Sequence, residues 1–100
     1  MSKKTIYIAG KITGVEDLAK IVFKQKELEL EDIGYNVINP MELKHDHDKT
    51  HASYMRVCIK ALCECDEIYM LSNWTDSKGA IIEHTIAMYL GLKVQYEAVS

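Results

Sequence analysis

The chain predicts an α/β fold of one domain, with a mostly parallel four-stranded sheet covered by helices on its faces in a three-layer arrangement. Strand-like and helix-like segments alternate in the order βαβαβαβ, which favours parallel strands joined by helical crossovers. Glycine or proline closes most of these segments. The length of 100 residues allows one hydrophobic core, residues 1–100 forming a single unit, and no solenoid period repeats along it.

The first strand is Thr5 to Ala9, a β-branched and aromatic run that Gly10 ends abruptly. From about Val15 to Ile33 the apolar positions Ala19, Val22, Phe23, Leu30 and Ile33 keep helical spacing, and Gly34 is a natural stop. Tyr35 to Asn39 has strand composition and ends at Pro40, which has no N–H to donate to a ladder. Met41 to Thr50 is polar and reads as loop. Met55, Cys58, Ile59 and Leu62 then fall on one helical stripe. Glu67 to Leu71 is a third strand, SNWTDSKG a loop, Gly79 to Leu90 a third helix stopped by Gly91, and Lys93 to Tyr96 a fourth strand. In such sheets ligands bind beyond the carboxyl ends of the strands, here near Gly10, Pro40 and Ser72 to Gly79.

Composition narrows the function. With 48% hydrophobic and 27% charged residues, disorder, collagen-like structure and coiled coil are poor readings. Twelve basic against 15 acidic residues give a net charge of −3, without the basic excess that a nucleic-acid polymer requires. No apolar run approaches the roughly 20 residues that span a bilayer, and the MSKK start precedes a segment too short for a signal-peptide core. A cytoplasmic protein without membrane partners is expected. Cys58, Cys63 and Cys65 are odd in number and lack a CxxC pair, so they read as reduced thiols in place of a disulfide set or a zinc site.

Glu83 is the most informative residue. Ala80, Ile86, Ala87 and Leu90 lie within about 60° of its azimuth on the third helix, so a carboxylate occupies the middle of an apolar stripe. A buried glutamate needs partners or a raised pKa, and such acids concentrate at functional sites. Equally, a position one turn inside the helix would leave it solvated at the cleft or structurally paired. Asp76, Ser77, Lys78 and Gly79 precede that helix, where free N–H groups and the helix dipole attract anions; the same residues would serve as an ordinary N-cap. YIAGKITG has neither P-loop nor dinucleotide-binding spacing, so ATP and NAD sites are not expected, and no cofactor is implied. Tyr7 could hydrogen-bond a carboxylate or be one more strand aromatic. His45, Asp46, His47, Asp48 and His51 are metal-ligand types in a loop with no rigid element, and read as solvated. His84 points about 100° away from Glu83. Trp74 could cover a base or cap the core edge.

YIAGKITG, GYNVINP and CDEIYMLSNWTDSKGAIIEHTIAMYLGL together resemble the nucleoside 2-deoxyribosyltransferase-like superfamily, most closely a branch of short bacterial and phage proteins. The likeness runs from Tyr7 to about Leu92. It implies a flavodoxin-like (Rossmann-like) sheet, Glu83 as a glutamate nucleophile and Tyr7 as the residue that orients it. The position six before the nucleophile, here Ser77, is commonly aspartate in enzymes of free nucleosides and serine in related nucleotide hydrolases, where it helps to hold the 5′-phosphate. Members often carry proline where this chain has Lys11, a change that could add a phosphate contact. Many also have an aspartate that handles the proton on the base, and its position falls on Cys58. A thiol with an ordinary pKa near 8.5 is a poor substitute.

The resemblance thus implies an N-glycosidase or 2-deoxyribosyltransferase that cleaves a (deoxy)nucleoside 5′-monophosphate. Glu83 and Tyr7 would be catalytic. Gly10, Lys11, Asp76, Ser77, Gly79 and Trp74 would bind substrate. Cys58 or Asp66 would lie on the base side, with solvent, Asp66, Asp76 or the loop histidines supplying the proton. The alternative is a non-catalytic nucleotide-binding or nucleotide-sequestering module, which Cys58 favours. Family members often complete the site across a dimer, so a homo-oligomer is expected.

Overall fold

Side-chain alternation along the first strand decides how the molecule is layered. The computed structural model describes residues 3–45 and 50–98, and in it β1 (Thr5–Ala9) is an inner strand. Ile6 and Ile8 share a buried cluster with Ala19, Phe23 and Leu30 of α1 (Glu16–Asp32). Tyr7 and Ala9 face the other way, toward Cys58 and Leu62 of α2 (His51–Cys63) and Ala80 and Ala87 of α3 (Lys78–Tyr89). A period of two in one strand therefore produces the expected three layers.

The sheet adds β2 (Asn36–Ile38), β3 (Glu67–Met70) and β4 (Lys93–Tyr96). All pairs are parallel, in the order β2-β1-β3-β4. From β1 the chain moves outward to β2, then returns to the opposite side of β1 as β3. That reversal opens a crevice beyond the carboxyl ends of β1 and β3.

Two helices stop as their glycines predict. Tyr35 N donates to Leu30 O and Gly34 N to Glu31 O; Leu92 N donates to Ala87 O and Gly91 N to Met88 O. Both are Schellman ends, with φ of +107° at Gly34 and +76° at Gly91. Tyr35 is thereby used by the helix end and does not begin β2. The polar stretch after β2 opens with a single 3-10 turn at Pro40–Glu42, because Asn39 accepts from Met41 N at 3.0 Å and proline needs no partner at the first position. A second 3-10 turn, Trp74–Asp76, lies within the loop before α3.

Polar groups also fix the edges. Glu27, buried on α1, accepts from Asn39 Nδ2 at 3.1 Å and from Lys24 Nζ at 3.1 Å. Glu67 accepts from Tyr35 Oη and Gln95 Nε2, both at 2.8 Å. Just after β4, Glu97 accepts from Ser72 N at 2.9 Å and pairs with Lys26 Nζ at 3.4 Å. No helix among the described residues is long and apolar enough to cross a membrane.

Candidate active site

At the carboxyl ends of the strands, between the start of α3 and the start of α2, lies a cavity of about 620 Å³, a size suited to a small molecule. The pair predicted from the sequence lines it. Glu83, on the second turn of α3, is 6% exposed, and Tyr7, in the middle of β1, is fully buried. Tyr7 Oη donates a hydrogen bond to Glu83 Oε2. Burial pushes the Glu83 carboxyl up to about 7, against the opposing effect of the Tyr7 bond. Tyr7 is held well above the ordinary phenol value by burial, then by Glu83 and Cys58, so it keeps its proton and serves as the donor.

Cys58 also lines the cavity, one helix over. Burial pushes its thiol up to about 11, so a neutral S–H stands where the resemblance implies a carboxylate in many relatives. Tyr54 precedes it by one turn on the same face of α2. It is half-buried, and its Oη is enclosed without a hydrogen-bond partner among the described residues. The ring of His45 stacks on it, with centroids 4.3 Å apart.

The mouth is built from loop and helix ends. Ser77 caps α3, its Oγ accepting from Ala80 N at 3.1 Å, which leaves its proton free to be donated outward. Asp76, Lys78 and Gly79 line the same rim, and the first-turn N–H groups of α3 lack intrahelical partners. A Cβ on Gly79 would meet Met55 Sδ at 3.1 Å, with His51 Nε2 at 3.8 Å. That glycine therefore serves the close packing of α3 on α2 as well as the rim. Across the cavity, Lys11 N donates to Asn73 Oδ1 at 3.1 Å. A Cβ on Gly10 would lie 2.7 Å from Leu71 Cδ1, so only glycine lets the β1 and β3 ends approach so closely.

The structure thus gathers Tyr7, Gly10, Lys11, Cys58, Asp76, Ser77, Gly79 and Glu83 around one cavity. It separates two other expected residues from them. Asp66 precedes β3, at the amino end of the sheet, where its Oδ2 accepts from Thr5 N at 2.9 Å. It lies at the end of the sheet away from the cavity and does not line it. Trp74 turns outward and stacks on His84 at 4.3 Å, and His84 Nε2 meets Tyr96 Oη at 2.6 Å. Those rings form an aromatic edge on the core and do not line the cavity. Of the histidine-rich loop, His51 reaches the cavity and His45 stacks behind it, while Asp46, His47 and Asp48 lie outside the described residues. Sequence reasoning overlooked Tyr54 and Asn73. Tyr54 had a usable signal in its spacing, four before Cys58 and eight before Leu62.

A family model described as a domain of unknown function, DUF4406, matches residues 4–96. The chain belongs to the DUF4406 family. No curated protein matches it. Among solved structures, this DUF4406 chain is similar to a 2-deoxyribosyltransferase from the psychrotolerant bacterium Bacillus psychrosaccharolyticus, described as a biocatalyst for nucleoside synthesis. The TM-score is 0.71 at 21% identity, over 96% of this chain and 77% of that one. It is also similar to a 2-desoxiribosyltransferase from Leishmania mexicana, with a TM-score of 0.75 at 18% identity over 97% of this chain. It spans 65% of the Leishmania chain. The DUF4406 chain thus has the deoxyribosyltransferase fold expected from its sequence.

Proposed function

We propose that this protein cleaves the N-glycosidic bond of a deoxynucleoside 5′-monophosphate, with Glu83 as nucleophile and Tyr7 as the residue that orients it. The observation that carries this reading is the Tyr7–Glu83 hydrogen bond at the inner wall of the cavity, between a phenol that keeps its proton and a buried carboxyl. As the bond to the base breaks, C1′ gains oxocarbenium character. A carboxylate already fixed in direction can capture that carbon without reorganising. The Tyr7 bond holds one carboxyl oxygen and favours the ionised form that attack requires. Water accepting the sugar makes the protein a hydrolase; a second base makes it a transferase.

The 5′-phosphate fits the rim, where the α3 N-terminus, the Ser77 hydroxyl and the Lys11 and Lys78 side chains offer donors and positive charge. The expected partner is a small molecule, with no nucleic-acid polymer. We also propose that copies of the chain associate, and that exposed Leu18 and Ile21 on α1 or Met88 and Tyr89 on α3 supply the apolar surface.

Incubation with a panel of deoxynucleosides and their 5′-monophosphates, followed by chromatography, tests the reading. Free base should be released by the wild type and fall by at least about 10³-fold in Glu83→Ala. If neither protein cuts any substrate, the enzyme reading fails. A nucleotide-binding module is the second reading, favoured by the neutral Cys58 thiol. Retention of a nucleotide without turnover would select it.

A further inference from the structure

The two edges of the sheet are protected unequally. β2 ends the sheet on one side with three residues and runs into Pro40, a short and blunted edge. β4 ends it on the other side, pairs only with β3, and contains neither proline nor glycine. Lys93 N donates to Asp66 O and Glu97 N to Met70 O, so by the alternation of a parallel ladder Lys93, Gln95 and Glu97 turn their backbone groups toward β3. Val94 and Tyr96 turn theirs outward, where no strand among the described residues meets them. An edge of this kind is a template for a further strand. We infer that this strand is β4 of a second copy of the chain, paired antiparallel about a two-fold axis at Gln95.

Backbone, charge and packing each make this edge complementary to itself. The axis at Gln95 sets Val94 opposite the partner's Tyr96, and each such pair exchanges both of its N–H···O=C bonds through the groups that point outward. Lys93 falls opposite the partner's Glu97 on either side of the axis, and Glu97 keeps acceptor capacity beyond its bonds to Ser72 N and Lys26 Nζ. Axes at Val94 or Tyr96 satisfy the backbone as well, but they set Gln95 against one of those charges, so the ion pairs choose the register. A two-fold axis normal to the sheet also keeps α3 and its copy on one face, side by side across the junction. His84 Nε2 meets Tyr96 Oη at 2.6 Å, which marks the side of α3 nearest β4. Exposed Ile81 and Met88 lie on that side, three before and four after His84, and the pairing covers them together. Of the apolar surfaces proposed above for association, the one on α3 is thus the one covered; the pairing rests on that association and is independent of the glycosidase reading.

Amide hydrogen exchange tests the pairing on the wild-type protein, with sedimentation velocity marking the monomeric and dimeric ranges of concentration. Exchange of the Val94 and Tyr96 amides should slow by at least about tenfold from the first range to the second. Lys93→Glu replaces attraction by repulsion on both sides of the axis and should raise the dimer dissociation constant by about tenfold or more. Lys20→Glu, the same charge change on α1, should leave that constant unaltered. A dimer in which the Val94 and Tyr96 amides exchange as fast as in the monomer would overturn the pairing, and association would then lie on another surface. Lys93→Glu dissociating no more than Lys20→Glu would overturn it as well; should that variant not fold, the exchange of the wild type decides alone. Wild-type protein that stays monomeric would overturn the pairing and the proposed association together. Base release enters neither measurement, so none of these outcomes bears on Glu83.

Discussion

Glu83 is held at a cost that depends on pH. In an unfolded chain its carboxyl would titrate near 4.5, whereas in the fold it titrates at about 7. The folded state therefore binds the proton more tightly, and stability falls as pH rises between those values, by about 3 kcal/mol in all, then levels off. Glu83→Gln lacks this slope. It should melt above the wild type at pH 8 and at the same temperature near pH 4.5, as thermal denaturation across that range will show. Activity must run the other way, because attack on C1′ needs the ionised form: base release should climb through an acidic limb centred near 7. Glu83 could be read from the sequence because a charge interrupts an apolar stripe, a conflict visible in one dimension. Tyr54 and Asn73 create no such conflict. Their places beside the cavity arise only when α2, or the loop after β3, is brought against a segment far away in the chain.

At the scale of elements, the start of α3 serves two ends with one residue. Ser77 is the N-cap of α3 and is also proposed at the phosphate. Ser77→Asp keeps the cap, since aspartate accepts from the same amide, but places a negative charge where the phosphate would lie. Its melting temperature should stay near that of the wild type while preference shifts from monophosphate to free nucleoside by about tenfold or more, measured as a ratio of kcat/KM values. Glycines separate in the same way. Gly34→Ala meets no atom within 4 Å, so its expected loss of about 1–2 kcal/mol is the conformational strain of φ +107° alone. Gly10→Ala would drive a methyl into Leu71, at a cost of about 1–3 kcal/mol and with the cavity disturbed, so ligand binding should weaken with stability. Denaturant titration with a binding assay distinguishes the two. Helix stops at Gly34 and Gly91 were legible in advance. The 3-10 turns at Pro40 and Trp74 were not, because a single turn has too few residues to show a period.

For the molecule as a whole, alternation of segments announced a parallel sheet, but not which strand lies beside which. The order β2-β1-β3-β4 is decided by tertiary packing, and with it the fact that the ends of β1 and β3 meet at the cavity while Asp66 is left at the opposite edge. Self-association belongs to this scale too. Sedimentation velocity at micromolar concentration should show a dimer or larger species. A change of both Met88 and Tyr89 to glutamate should reduce it to monomer if the α3 surface is the one covered; wild-type protein sedimenting as a monomer would refute association. One more link acts over long range. Glu97 reaches back from beyond the last strand to hold Ser72 N with one oxygen while pairing with Lys26 of α1 through the other. Ser72 is the residue from which the chain sets out toward Asn73, Asp76 and Ser77, so this carboxylate works like a guy-rope on the rim. Whatever slackens it, be it high salt or a bulky group attached nearby, should loosen the cavity's edge before it costs the fold.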